Sequence, residues 1–268
     1  MLFFLIRFND LYQKPLSMKT FLGVVLMFSG VSFSQVQSGI INDTAEMNIE
    51  HKKEFIEGIK KEDSPMRIKK QVIDFYENAE PDYYELHFTD NEAYYFKDEY
   101  LEREETYNIG SKAGLYPYCT NLSRQQFIGE NRNFGYVAHE PLDWKTTSET
   151  KMIGDVKCYK ATTTETPYSR QSHFYDRDIV TCYAPEIPVK YSPEYHSGLL
   201  GLVLEVQRKE FMITATKINL NPDEKKLKIM RVDKGEKVIS QKEVNKRIEE
   251  RLREKVIMYR NLKNKDHD

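Results

Sequence analysis

Alternation of apolar and polar residues dominates the chain from about Tyr83 to Leu220. Successive side chains of a strand point to opposite faces, so a period of two predicts half-buried β-strands. YYELHF and EAYYF come first, split by the turn signal Asp90-Asn91. QQFIG and FGYVAH then flank Glu130–Asn133 as a hairpin. WKTTSETKMI, DVKCYKATTTE, DIVTCYAPEIPV, GLVLEVQRKE and FMITATKINL follow, separated by Gly154-Asp155, Thr166-Pro167, Asp176-Arg177 and the stretch from Pro185 to Pro193. No helical pattern intervenes, which argues for an antiparallel, meander-like sheet rather than βαβ units. Residues 39–50 read as a first strand, and Lys97–Gly114 as a polar connection.

Two regions break the period. Residues 51–80 are charge-dense, with Ile68, Val72, Phe75 and Tyr76 at helical spacing and Ser64-Pro65 as a helix start. Near the end, Ser240-Gln241-Lys242-Glu243 fits a capping box, in which the serine side chain accepts from a free backbone N–H. Val244, Ile248, Leu252, Val256 and Tyr259 then form one apolar stripe. The expected fold is mainly β (α+β). It is a curved antiparallel sheet or partly open barrel, with helices near 51–80 and a C-terminal helix at about 240–262 packed on it.

The first residues read differently. Lys19, the apolar run Phe21–Phe28, and Ser32 and Ser34 before Gln35 have the layout of a secretory signal. The run is shorter than the roughly 20 residues that span a bilayer. Residues 1–34 are therefore expected to be a signal region, with Met18 as the true start and cleavage after Ser34. Residues 35–268 are expected to form a single domain in the periplasm or outside the cell, with no transmembrane span.

Composition adds limits. A hydrophobic fraction of 40% with 18 Tyr and 14 Phe argues against disorder. A net charge of −2 lacks the basic footprint of nucleic-acid binding. Residues 223–268 hold 15 basic and 10 acidic residues, which reads as a solvated helix face or as a contact for anionic headgroups.

Cys119, Cys158 and Cys182 match no zinc spacing, and an exported chain permits a disulfide. Cys158 and Cys182 fall on segments expected to be near neighbours and form the candidate pair. No Gly-x-Ser-x-Gly, His-Glu-x-x-His, P-loop or dinucleotide motif is present. Ser148-Glu149-Thr150-Lys151 matches Ser-x-x-Lys, but in a strand these two residues face opposite sides. No close histidine pair suggests a metal, so neither metal nor cofactor is expected. Asp43-Thr44-Ala45 has the form of an O-glycosylation triplet.

Residues 142–219 carry a resemblance. Trp144, Lys145, Gly154, Cys158, Lys160 and Ala161 fit one segment, and Pro185–Val189 form a PEIPV core. Gly198, Leu199, Gly201 and Leu202 follow as a signature. In these the chain resembles the GLPGLI family, exported proteins of Bacteroidota without an assigned activity. Leu200 stands where that signature has Pro, Cys182 where it has Trp, and Thr166–Tyr175 are inserted. The resemblance implies export and a β fold and supplies no catalytic residue. In PEIPV, neither Pro185 nor Pro188 can donate to a sheet, so this is an edge or a strand exit. Gly198 and Gly201 suit positive φ or close backbone approach.

Three functions remain open. A binding module would hold a small ligand, a lipid or an envelope protein, with Glu186, His196, Gly198 and Gly201 as candidate contacts. An accessory partner of an outer-membrane receptor or transporter would show a surface groove or strand edge. A hydrolase would require Glu186, His196 and His173 to converge in a cleft.

Overall fold

The computed structural model describes residues 36–98, 109–114, 116–169 and 173–265; the expected signal region, its start at Met18 and its cleavage point lie outside them. Residues Val36–Asp268 form one unit. The strands are β1 (Gly39–Met47), β2 (Asp82–Phe88), β3 (Glu92–Lys97), β4 (Tyr118–Asn121), β5 (Gln126–Asn131), β6 (Gly135–His139), β7 (Lys145–Ile153), β8 (Val156–Glu165), β9 (Arg177–Ala184), β10 (Leu202–Gln207), β11 (Phe211–Leu220) and β12 (Val238–Ser240). The helices are α1 (Ile49–Lys61), α2 (Met66–Glu77) and α3 (Gln241–Lys265). The mainly β class, with two helices between β1 and β2 and one after the strands, is as the sequence pattern predicts.

All twelve strands join one open sheet in the order β12-β6-β5-β4-β3-β2-β1-β11-β10-β9-β8-β7. Two meanders, β2–β6 and β7–β11, are thus stitched together by β1, which pairs with both β2 and β11. Among the described residues every strand pairing is antiparallel except β12 with β6, so the sheet is mixed rather than purely antiparallel.

The connection between the meanders sets the shape. β6 and β7 stand ten inter-strand spacings apart, which in a flat sheet is about 48 Å. Only residues 140–144 join them, and that span reaches about 20 Å at full extension. The sheet must therefore curl until its two ends face each other. The inner surface carries the core: Ile41, Ala45, Leu86, Phe88, Leu202, Val206 and Ile213 are all essentially inaccessible.

Local chemistry explains the element ends. The Asn48 side chain accepts from the backbone N–H groups of Glu50 and His51 and starts α1. Phe55 stacks on Tyr76 at 4.0 Å and closes the α1–α2 hairpin between β1 and β2. Ser240 Oγ accepts from the backbone N–H of Glu243, as the capping box requires, whereas the Glu243 carboxylate turns to Arg247. Val244 and Ile248 dock α3 on the sheet and Leu252 is half-buried; the side chains of Val256 and Tyr259 lie outside the described residues. Among the described residues no helix is long and apolar enough to cross a membrane.

The PEIPV segment leaves β9 as a strand exit and folds back beside β10, where the Leu202 N–H donates to Ile187 O. Gly198 has φ +115°. At Gly201 a Cβ would sit 2.4 Å from the Ala184 carbonyl oxygen. Both glycines are thus required by the backbone. Asp43 and Ala45 of the glycosylation triplet are buried in the central strand β1, with Thr44 half-buried between them.

Cys158 and Cys182 are free thiols. Lys160, not Cys158, lies opposite Cys182 across β8–β9, so the two cysteines sit on a diagonal. Diagonal Cα separations of about 7–8 Å exceed the usual disulfide span of roughly 4.4–6.8 Å.

Gly201→Ala is expected to cost about 1–3 kcal/mol in urea unfolding, because the backbone on both sides must shift. Gly235→Ala meets open space and should change little. Equal effects at the two positions would contradict the close-approach argument.

Candidate functional site

The curl brings the end of the first meander against the start of β9. Gly129 on β5 has no side chain, and a Cβ there would lie 2.7 Å from the Tyr118 ring and 3.2 Å from His139 Nε2. Its absence lets both rings lie over the inner face of the sheet. Between them and the far meander sits the loop Lys190–Leu200. His139 stacks on Tyr195 at 4.1 Å, and Tyr195 stacks on His196 at 5.0 Å. Trp144, in the link between the meanders, donates from Nε1 to Ser197 O at 3.3 Å, so link and loop are tied together.

Beneath this stack lies a buried ionic network. Glu165 and Arg177 face each other across the ends of β8 and β9, and Arg177 Nη2 reaches Glu165 Oε2 at 2.6 Å. The Tyr195 hydroxyl donates to Glu165 Oε1 at 2.5 Å. Arg208, just after β10, contacts Glu194 at 3.1 Å and Glu165 at 3.4 Å through Nη2. The same nitrogen donates to His196 Nε2 at 2.9 Å. Arg208 has no acceptor to offer, so His196 Nε2 must accept and Nδ1 must carry the proton. That proton is donated to Pro193 O at 3.0 Å.

The electrostatics follow from this wiring. Burial, then the Arg208 charge, push the His196 pKa down to about 4. Burial also pushes His139 down to about 4. Burial opposes ionisation of Glu165, but Arg208, Arg177 and the Tyr195 hydroxyl outweigh it and hold the carboxyl at about 2. Burial raises the Tyr195 phenol further. At neutral pH the network therefore holds two neutral imidazoles beside a locked carboxylate.

A cavity of about 540 Å³ opens above the network. Its polar lining includes Glu165, Arg177, Tyr195, Arg208 and His139, with Glu130, Glu140, Gln241 and Asn245. Phe134, Val137, Leu142, Pro167, Val244 and Ile248 supply its apolar lining. A second cavity, of about 450 Å³, lies on the outer face beside Glu92, Cys119 and Arg231. It is bridged by the largely exposed Arg231 side chain and has no comparable buried network.

The structure does not assemble the expected hydrolase cluster. His196 is fully buried, while Glu186 and His173 are exposed, and His173 lies by Ser169 in the β8–β9 connection. Of the expected contacts, His196 joins the network, Glu186 and Gly198 face solvent, and Gly201 packs against backbone. Sequence reasoning missed Glu165, Arg177, Tyr195, Arg208, His139 and Tyr118. One signal was available: Ala161, Thr163 and Glu165 alternate on the buried parity of β8, so a charge falls on the inner face. Among the described residues no group of three or more His, Cys, Asp or Glu side chains could hold a metal.

No family model matches the chain, and no curated protein does. Among solved structures it is similar to the structure of PNGF-II in space group P21, with a TM-score of 0.40 and 16% identity over 76% of this chain. The match spans 31% of that longer chain.

Two tests follow. His139 and His196 have folded pKa values below the unfolded value near 6.5, so above it neither state is protonated and their contribution is intact. As pH falls from about 6.5 to 4 the unfolded chain takes up protons that the folded chain refuses, and stability should drop by on the order of a few kcal/mol. Glu165 adds a further loss between about 4.5 and 2, where the unfolded carboxylate protonates first. Urea unfolding across this range checks the slope, and a flat profile between pH 6.5 and 5 would refute it. Arg208→Met should cost about 3–5 kcal/mol, because it leaves Glu165 and Glu194 buried with the cation between them removed.

Proposed function

We propose that the chain is an exported, GLPGLI-like binding module. It holds a small amphipathic molecule in the cavity between the inner face of the sheet and α3. The observation that carries this reading is a cavity of about 540 Å³ whose lining combines apolar side chains with the buried, ion-paired groups of the network. Cavities of this size and mixed lining suit small-molecule ligands. Within the buried network two guanidinium groups, Arg177 and Arg208, are matched by two carboxylates, Glu165 and Glu194, while Glu130 and Glu140 add exposed carboxylates to the cavity lining. A ligand with net charge at this end would disturb a balanced network in a low-dielectric setting. The favoured ligand has an apolar body and an uncharged hydrogen-bonding head.

Binding is favoured over catalysis by the same wiring. A general acid or base works best with a pKa near the operating pH. Glu165 near 2 and the two histidines near 4 are far from that poise.

Native mass spectrometry of the purified chain should find a co-purifying small molecule. Titration with a neutral naphthylamine fluorophore should show saturable uptake at one site. Ile248→Trp, which puts a larger ring into the cavity lining, should weaken that uptake by about tenfold or more. Absence of both a bound molecule and saturable uptake would sink the reading.

A further inference from the structure

The walls of the cavity are held with unequal strength. The polar floor is fixed by the many contacts of Glu165, Tyr195 and Arg208, and Tyr118 beside it packs against the main core. The opposite wall, Gln241, Val244, Asn245 and Ile248, comes from the first turns of α3. These turns rest on a separate apolar cluster: Val137, Ile239 and Val244, with Phe134 and Ile248 beside them.

The other attachments of α3 are slight. β12, which leads into it, has three residues and makes the parallel pairing with β6. The chain before β12 crosses the outer face of the sheet with one short 3-10 turn at Glu224–Lys226. The contacts that hold that stretch include Arg231 with Glu92, the Lys228 N–H donating to His87 Nδ1, and the Lys228 ammonium near Glu85 and over the Phe96 ring; the two ion pairs are on largely exposed cations. The ion pairs Glu243–Arg247, Lys246–Glu250 and Glu249–Arg253 lie within the helix. They stiffen α3 without fastening it to the sheet. Arg251 over the Phe134 ring, at 5.1 Å, is a modest link across the interface.

We propose that β12 and the first three turns of α3 form a displaceable lid over the cavity, hinged on residues 222–237. The lid swings off β6 as a preformed helix and exposes the cavity while the ionic floor stays assembled. Opening uncovers only the small cluster around Val244, so it requires less free energy than global unfolding. The role of the lid in admitting a ligand rests on the binding reading above; its motion belongs to the ligand-free protein.

Hydrogen exchange of the full, ligand-free chain tests the motion by mass spectrometry. Amides of Val238–Leu252 should exchange about tenfold or more faster than those of the central strands β1 and β11. Ile239→Ala should accelerate the lid amides further and leave β1 and β11 unchanged. The proposal is overturned if lid and central strands exchange at one common rate, or if Ile239→Ala accelerates them all alike. Lid exchange without fluorophore uptake would remove the binding reading alone. Uptake with a lid as protected as β1 would remove the lid alone.

Discussion

Five residues joining strands at opposite ends of a twelve-stranded sheet decide the architecture. Sheets twist in any case, but twist alone does not bring a far edge within reach of a short link. Here residues 140–144 require it. Once the ends are close, the space between them needs filling, and the loop before β10 supplies the filler. Trp144 belongs to the link and Ser197 to the loop, and their hydrogen bond joins the constraint to the plug.

The buried ionic network is a consequence of that approach. Glu165 and Arg177 would form an ordinary cross-strand pair on a flat sheet. The curl places them under Tyr195 and beside Arg208, away from water. Burial of charge is costly unless partners are present; two carboxylates, two guanidinium groups, a phenol and a neutral imidazole offset most of that cost, while Glu194 Oε2 and Arg208 Nε are left without a hydrogen bond. Its use is positional: it fixes one end of the loop and the floor of the cavity with directional bonds where apolar packing would allow several arrangements.

The elements were largely legible in the sequence because each rests on local rules. Alternation marked the strands from β2 to β11 except β4, the capping box marked the start of α3, and the two glycines of the signature proved necessary at φ +115° and at a carbonyl contact. Strand order was not legible. That β1 sits in the middle follows from pairings with β2 and β11, whose partners lie about 40 and 170 residues away along the chain. The diagonal offset of Cys158 and Cys182 depends on register, which the cysteine count does not carry. Nor was the site legible. Glu186, His173 and His196 were grouped by residue type, while their faces are set by the loop path. Glu165 and Arg208 were passed over because a charge in an alternating strand reads as solvent-facing until the inner parity is known.

The division of labour between the two apolar clusters follows from chain order. The main core is built from strands contributed by both meanders, so losing any one of them breaks contacts throughout the inner face. β12 and α3 come last, pair with a strand at the edge, and bury their own small cluster there. An element added at an edge can leave without disturbing the register of its neighbours, whereas a central strand cannot. The cavity lies along this seam between a strongly coupled sheet and a weakly coupled helix. A pocket placed there has a polar floor fixed by ion pairs and, across from it, a wall of α3 side chains tied to the sheet through the small cluster around Val244.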